Sequence, residues 1–164
     1  MNDCKYGYSM KNRVMTQTLI KSGTEPNLTA DQEEHFFTYA LYPHAGTWRE
    51  AGTEQEALNL NVPVKVISGA PEKDRREFLS VDRRNVVLET VKKAENGDGI
   101  IVRLYEVENA RTKVTLHCDE TILSAEETDL LENPIEGAIA VKENEISFTI
   151  KPYEIRTIRI RTQK

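Results

Sequence analysis

The sequence contains few residues of the types that form covalent cross-links or metal centres. Its 164 residues include two cysteines, three histidines and one tryptophan. Cys4 and Cys118 lie far apart and belong to no Cys-x-x-Cys pair. We therefore expect two free thiols in a cytosolic protein, with one long-range disulfide as the alternative.

Long apolar runs and an excess of positive charge are also absent. No run approaches the roughly 20 apolar residues that a membrane helix requires, and no basic start followed by an apolar stretch marks a secretory signal. The net charge is −5, from 27 acidic and 22 basic residues. Because nucleic acids and acidic membranes attract basic surfaces, this balance argues against both as general partners.

The common catalytic motifs are missing as well. The sequence has no GxSxG, P-loop or GxGxxG pattern and no Cys–His pair in a catalytic context. It has adjacent acid pairs at 33–34, 119–120 and 126–127. A retaining glycosidase needs two carboxylates about 5 Å apart, whereas neighbours on a strand point to opposite faces. We interpret these pairs as solvated charge.

The sequence does contain a concentration of aromatic, strand-forming residues. Segment 35–42, HFFTYALY, is followed by Pro43 and predicts a strand. Both of its faces are largely apolar, which predicts that both are covered, inside a multi-layered β body or by another domain. On an extended strand His35 and His44 lie about 30 Å apart and on opposite faces. A metal shared by these two histidines is therefore not expected.

The remaining pattern predicts an all-β chain, mainly an antiparallel β-sandwich. A short helix is expected within 47–60, and further strands are expected at 14–21, 62–68, 78–81, 86–94, 100–108, 113–118, 120–129, 137–141, 146–150 and 155–161. Segment 95–99, ENGDG, is a hairpin turn signal because Asn-Gly and Asp-Gly tolerate positive φ. In the last strand we expect Ile158 and Ile160 to face the core, and Arg159 and Arg161 to face water.

Several stretches are distinctive enough to indicate a family. NDCKYGYS, TYALYPHAG, ALNLNVPV, VLETVKKAENGDGIIVRLYE, TDLLE and FTIKPYEIRTIRI follow one another along the chain. In this order they resemble the C-terminal region of α-mannosidases of glycoside hydrolase family 38, of the bacterial and cytosolic type. The resemblance runs from Asn2 to Ile160.

The resemblance implies a domain organisation and a role. Residues 1–70 resemble the end of a large, galactose-mutarotase-like β-sandwich, and residues 78–164 resemble a small terminal β-sandwich, with 71–77 as the linker. In this family zinc and the catalytic aspartate of the retaining reaction belong to an N-terminal catalytic domain that this sequence does not contain. We therefore expect no catalytic residue, metal ligand or cofactor in this chain, and a supporting role in a cytoplasmic enzyme.

The resemblance also points to loops beside the glycan cleft. In some family members the large sandwich contributes residues to the edge of the active site. Tyr6, Asp31, Gln32 and His44 are the candidates for facing a mannose-containing glycan or the catalytic domain. The alternative is that they have ordinary loop and packing roles.

Two other functions and one structural consequence follow from the same residues. A stand-alone carbohydrate-binding module would need an aromatic platform, formed by Trp48 with Tyr42 or Tyr39; a structural interaction module is the third hypothesis. The turn-rich start at Met1 suggests a piece cut from a longer polypeptide. Its apolar surfaces are then expected to be covered by the catalytic and helical domains of that polypeptide, or by self-association.

Overall fold

The structure, a computed structural model, describes residues 1–3, 6–69 and 76–163. Its internal contacts divide the chain into two units, Met1–Ser68 and Gly69–Lys164. Most of the predicted linker at 71–77, and the predicted free thiol of Cys4, lie outside the described residues. In the described part of the chain, no helix is long and apolar enough to cross a membrane.

The first unit contains little regular structure among its described residues. Strands β1 (Tyr8–Lys11) and β2 (Val14–Gln17) form an antiparallel hairpin, and α1 (Thr53–Asn61) is its helix. The strand predicted from residue 14 is therefore confirmed but ends earlier than expected. The predicted helix is confirmed in its second half, where TEQEALNLN supplies several good helix formers.

The strands predicted at 35–42 and 62–68 do not form. The first makes a single bridge between Asn2 and Tyr39, and the second has no regular structure. Aromatic and β-branched residues favour an extended chain, but a strand needs a neighbour for its backbone groups. The described residues of the first unit supply no continuous partner for either segment.

Both faces of 35–42 are open within this chain, so that another domain covers them stays a prediction. Phe36 is 87% exposed and Leu41 is 81% exposed. None of the described residues at 1–69 is buried. Apolar side chains are therefore collected in the first unit without forming a core there.

The second unit is an antiparallel β-sandwich, as predicted. A four-stranded sheet has the order β3-β6-β10-β9 and a five-stranded sheet the order β4-β5-β11-β7-β8, with these bounds: β3 (Leu79–Val81), β4 (Val86–Lys93), β5 (Ile100–Glu106), β6 (Thr112–Cys118), β7 (Thr121–Thr128), β8 (Pro134–Ala138), β9 (Val141–Lys142), β10 (Glu145–Ile150) and β11 (Ile155–Gln163). In place of the single strand expected at 137–141, the structure has β8 and β9, which overlap its two ends.

The core lies between these two sheets. Alternate residues of β5 and β11, such as Leu104 and Ile158, meet alternate residues of β6 and β10, such as Leu116 and Ile146. This follows from the period of two along a strand, which places every second side chain on the core face. Each fully buried Leu or Ile contributes about 1.5–3 kcal/mol through the hydrophobic effect. Cys118 is part of this core, and its thiol is free as predicted.

The ENGDG turn joins β4 to β5 as predicted. The N–H of Ala94 donates to the carbonyl of Gly99 at 3.0 Å, and the N–H of Gly97 donates to the carbonyl of Ala94 at 2.8 Å. Gly99 has φ +92°, and a Cβ there would lie 2.5 Å from the carbonyl oxygen of Ile160. Glycine is therefore required both by the backbone conformation and by the close approach of β11.

Half of the expectation for the last strand is wrong. Ile158 and Ile160 are buried as predicted, but Arg159, expected in water, is only 5% exposed. Its guanidinium donates to the carboxylate of Glu126 at 3.0 Å and to the carbonyl of Glu132 at 2.9 Å. The alternating pattern identified the two faces correctly, but this outer face is covered locally by paired polar groups.

Candidate functional site

The loop candidates Tyr6 and Asp31 are brought together by the fold. The hydroxyl of Tyr6 donates a hydrogen bond to Oδ2 of Asp31, and the backbone N–H of Ser22 donates to the same oxygen at 3.2 Å. The ring Nε2 of His35 lies 3.2 Å from the carbonyl oxygen of Asp31. The group therefore includes His35, which the sequence did not select as a substrate-facing residue.

The local sequence explains why Asp31 can occupy this position. Oδ1 of Asn27 accepts a hydrogen bond from the N–H of Thr29 at 3.1 Å, and the N–H of Ala30 donates to the carbonyl of Asn27 at 3.2 Å. These contacts form the turn that ends at Asp31, whose φ is +56°. Asp and Asn tolerate this left-handed conformation better than most residues do.

The other two candidates make local contacts of their own. Nε2 of Gln32 donates to the carbonyl of Leu28 at 3.0 Å. The ring of His44 lies 5.6 Å from the ring of Tyr42, and its Nδ1 is 3.2 Å from the carbonyl oxygen of Ala45. Such contacts fix side-chain orientation without defining a reaction, so the role predicted for these residues stays a prediction.

The described residues do not offer a metal centre. Among them, no group of three or more His, Cys, Asp and Glu side chains is arranged to hold an ion. The argument that His35 and His44 lie about 30 Å apart assumed a strand that does not form, and it no longer applies. His117, the third histidine, has its Nδ1 3.2 Å from a carboxylate oxygen of Glu145 across the β6–β10 pair.

The two acids at 126–127 each form an ion pair with an arginine. The interpretation of this acid pair as solvated charge is therefore wrong. Glu126 lies opposite Arg159 in the β7–β11 register, and Glu127 lies opposite Ile158 and binds the guanidinium of Arg156 through two hydrogen bonds. The two carboxylates therefore point to opposite faces of the sheet, as strand geometry requires. They do not form the facing pair that a retaining glycosidase uses.

The other two acid pairs differ from each other. Asp119 and Glu120 both bind Arg76, at 2.5 Å and 3.1 Å, so they too are paired. The residues at 33–34 are exposed, in agreement with the sequence interpretation.

A buried carboxylate lies at the end of β5, and it was not among the candidates identified from the sequence. Glu106 is 2% exposed and accepts hydrogen bonds from the side chain of Asn85 at 2.9 Å and from the N–H of Tyr153 at 3.0 Å. A signal was present, because Glu106 has the same parity as the inward residues Val102 and Leu104. All of these contacts are structural, and they hold loops rather than a ligand.

The first unit also carries an open groove of about 440 Å³. The lining residues include Tyr8, Met15, Gln17, Tyr39, Tyr42 and Thr53. Nε2 of Gln17 and Oγ1 of Thr53 are buried atoms without a hydrogen-bond partner. Tyr39 and Tyr42 line this groove. Trp48 is not among its lining residues and instead stacks with Arg49 at 4.6 Å. The aromatic platform expected from the sequence is therefore divided.

Fold and contacts together define the class of protein: an antiparallel β-sandwich module whose described side chains form ion pairs and loop contacts. Residues 85–158 match the family described as "Glycosyl hydrolases family 38 C-terminal beta sandwich domain". Over these residues the chain therefore matches the C-terminal β-sandwich of glycosyl hydrolase family 38, which confirms the resemblance found in its sequence.

Known relatives extend this likeness over nearly the whole chain. It is 36% identical over 165 residues to alpha-mannosidase 2C1 of Homo sapiens, a match that covers 96% of this chain and 16% of the relative. It is 32% identical over 171 residues to alpha-mannosidase G of Dictyostelium discoideum, covering 97% of this chain and 15% of the relative. An alpha-mannosidase of Saccharomyces cerevisiae is 26% identical over 186 residues. The chain thus spans about one sixth of the length of the relatives it matches.

Proposed function

We propose that this chain is the non-catalytic C-terminal part of a cytoplasmic family 38 α-mannosidase, and that it supports the catalytic domain of the same polypeptide. The observation that carries the proposal is the family match at 85–158, together with a likeness to proteins named alpha-mannosidase that extends over 96% of the chain. Because the chain corresponds to about one sixth of those relatives, the hydrolysis of terminal α-mannosides is assigned to the remainder.

The exposed apolar side chains of the first unit support a partner within the same polypeptide. Phe36, Leu41 and Val66 are each more than four-fifths exposed, and none of the described residues at 1–69 is buried. Soluble proteins rarely expose large apolar patches unless another surface covers them. The part of the relatives that lies outside the match is long enough to cover it.

The Tyr6–Asp31 pair is proposed to lie at the edge of the glycan cleft, with Gln32 and His44 on neighbouring loops. A carboxylate and a phenol held against each other can accept and donate hydrogen bonds to sugar hydroxyls. Zinc is assigned to the catalytic domain, as the family resemblance implies. When bound there, zinc would hold mannose hydroxyls.

An exchange experiment tests the supporting role. The matching region of human alpha-mannosidase 2C1 is replaced by this chain, and hydrolysis of an aryl α-mannoside is compared with that of the intact enzyme and of a version ending before the region. We expect activity in the chimera, none in the shortened enzyme and none in the chain alone. Full activity of the shortened enzyme, or chelator-sensitive activity of the chain alone, would overturn the proposal.

Variants of the chimera test the cleft-edge residues. Asp31→Asn and Tyr6→Phe are expected to raise KM for an oligomannoside about 3- to 10-fold, the range expected for one lost hydrogen bond, with little change in kcat. Tyr153→Phe, an exposed tyrosine of the second unit, is the control and should leave KM unchanged. If KM is the same in the chimera and in all three variants, these residues do not lie at the edge of the cleft.

A further inference from the structure

We propose that the turn at 129–133 in the second unit, DLLEN, is a docking surface for the part of the polypeptide that lies outside this chain. We call it the leucine turn. This docking rests on the proposed function, in which the chain belongs to a longer α-mannosidase. The leucine turn joins β7 to β8 and contains most of TDLLE, one of the stretches that indicated the family.

The acidic side chains of the leucine turn hold it in place. Oδ1 of Asp129 accepts hydrogen bonds from the N–H of Leu131 at 2.8 Å and from the N–H of Asn133 at 2.9 Å. The carboxylate of Glu132 is buried and accepts a hydrogen bond of 2.8 Å from Nζ of Lys92, on β4. The turn is therefore closed on itself and tied to the five-stranded sheet.

Two arginines of the same sheet bind the backbone of the leucine turn. The guanidinium of Arg103 donates to the carbonyl of Leu130 at 2.8 Å, and that of Arg159 donates to the carbonyl of Glu132 at 2.9 Å. These bonds use the backbone of the leucines and not their side chains, and neither leucine belongs to the hydrophobic core. A polar residue at 130 or 131 would leave them intact, so the stability of the turn does not explain the two leucines.

The leucine side chains are presented to solvent beside a groove. Leu131 is 82% exposed and Leu130 is 57% exposed. Together with the exposed Ile135 and Ile155 they line an open groove of about 420 Å³. Single exposed apolar residues are ordinary, but a group of them around one groove marks an interaction site. Because the backbone of the turn is already fixed, little freedom is lost when a partner packs against it.

The sheet edges of the second unit are poorly suited to the alternative of strand addition by a partner. The edge strands β3 and β9 of the four-stranded sheet contain three and two residues. In the five-stranded sheet, the edge strand β4 has an irregular register between Leu88 and Thr90, and the edge strand β8 begins at Pro134. Short, irregular and proline-containing edges disfavour pairing. A partner is therefore expected to pack against side chains instead.

The size of the surface selects the kind of partner. A stable complex between separate proteins uses about 20–30 residues on each side, whereas four exposed apolar residues line this groove. So small a surface suffices when both partners belong to one polypeptide, because the linkage provides an effective concentration on the order of mM. The match covers 16% of the human relative, so about five sixths of that protein is available as the partner.

The partner surface is expected to be apolar rather than basic. The two acids that line the groove already have partners, since Glu127 binds the guanidinium of Arg156 and Asp129 binds the backbone of its own turn. A cation brought to the groove would compete with these contacts. An apolar surface would bury the leucines and leave the contacts of both acids unchanged.

Cysteine labelling tests whether a partner covers the leucine turn. Leu131→Cys is made in the chain alone and in its chimera with human alpha-mannosidase 2C1, and its reaction with a maleimide is followed by mass spectrometry of the labelled peptide. We expect labelling about 10-fold slower or more in the chimera, because the thiol reacts only when the contact opens. Ser147→Cys, at an exposed position of β10, is the control and should react equally fast in both proteins. Unchanged labelling of Leu131→Cys, or equal slowing at both positions, would overturn the proposal.

A polar substitution tests whether the contact stabilises the whole enzyme. Leu131→Gln should leave the urea midpoint of the chain alone unchanged. In the chimera it should shorten the half-life of activity at elevated temperature about 3- to 10-fold, because it places an amide in an apolar contact. Leu123→Gln, at a similarly exposed position of β7 that does not line the groove, is the matched control and should not shorten it. A lower midpoint for Leu131→Gln in the chain alone would show that the leucine packs within the chain, and would overturn the proposal.

Three results separate this inference from its alternatives. If the chimera is active while Leu131→Cys is labelled freely in it, the supporting role stands and the docking surface is overturned. If the chimera is inactive while labelling is slowed at Leu131→Cys alone, the docking stands and the supporting role fails. If light scattering shows that the chain alone forms a dimer that Leu131→Gln abolishes, a second copy covers the turn and the proposal is overturned.

Discussion

The carboxylate of Glu106 accepts a hydrogen bond of 2.9 Å from the side-chain amide of Asn85, and both residues are buried. Burial favours the neutral acid, but the N–H groups of Tyr153, Glu108 and Ala110 and the amide of Asn85 outweigh it and hold the pKa of Glu106 below its ordinary value. One carboxylate thereby joins the loops at 82–85, 107–111 and 151–154 beside the core. Its function is to fix the end of β5.

Glu106→Gln should therefore destabilise the protein. The side-chain amide of the new glutamine places N–H groups where a carboxylate oxygen accepted hydrogen bonds from other N–H groups. Those donors then lose their acceptor, and a buried unsatisfied group costs about 1–3 kcal/mol. The free energy of unfolding, measured by urea denaturation, should fall by about that amount. Glu136→Gln, at an exposed position of β8, is the control and should change it little; equal stability of the two variants would contradict a structural role for Glu106.

The stability of the chain should decrease in acid. Glu132 has a lowered pKa, first through its hydrogen bond from Lys92, and the pKa of Asp98 is lowered chiefly by its hydrogen bond from Arg161. Together with Glu106, these groups stabilise the fold at pH values above their ordinary pKa of about 4 and lose that contribution as the pH falls through the lower folded values. The urea midpoint should be level near neutrality and decline below about pH 5.

The Glu106→Gln variant provides the control for this pH dependence. It lacks one of the titrating groups, so its midpoint should fall less steeply in acid than that of the parent chain. Parallel slopes in the two proteins would show that Glu106 does not have a lowered pKa in the folded state.

Arg159 is expected to stabilise the outer face of the five-stranded sheet. Arg159→Ala removes the bonds to Glu126 and to the carbonyl of Glu132, and we expect a loss of about 2–3 kcal/mol. Arg159→Lys keeps the charge but not the forked geometry of the guanidinium, so its stability should lie between those of the parent chain and Arg159→Ala. Thermal and urea unfolding measure the stabilities of the three proteins. If the lysine variant is no more stable than the alanine variant, geometry rather than charge carries the contribution.

Gly99 is expected to tolerate no side chain. Gly99→Ala places a methyl group 2.5 Å from the carbonyl of Ile160 at a φ of +92°, so β5 or β11 must shift, at a cost of about 2 kcal/mol or more. Gly97→Ala is the matched control, since its φ is also positive but its nearest neighbour is the flexible Lys93 at 3.8 Å. We expect about 1 kcal/mol there. Equal costs would show that strain alone, without the close approach, explains the glycine.

The second unit could be predicted from the sequence because its signals are local and agree with one another. Ile158 and Ile160 alternate with arginines, and ENGDG marks its own turn. The first unit could not, because an aromatic run such as 35–42 shows only a preference for an extended chain. Whether it becomes a strand depends on a neighbouring edge, which the run does not encode.

The candidate sites were predictable to different degrees for the same reason. The resemblance selected Tyr6 and Asp31, which the fold then placed together, although nothing in their spacing of 25 residues indicates contact. Gln17 gave no signal, because the groove that it lines is assembled by segments distant in sequence. The burial of Arg159 was missed because alternation distinguishes two faces of a strand but does not show what covers them.

The two units should also differ in hydrogen exchange. Amides in β5, β6, β10 and β11 are paired in ladders beside a buried core, so they should exchange through global unfolding, over hours or longer. Amides at 64–68 have exposed side chains, no ladder and no buried neighbour within 1–69, and should exchange almost as in an unfolded chain. Mass spectrometry of the isolated chain measures both. In the chimera with alpha-mannosidase 2C1, the same segment should become protected if the proposed partner covers it, whereas unchanged exchange would place that partner elsewhere.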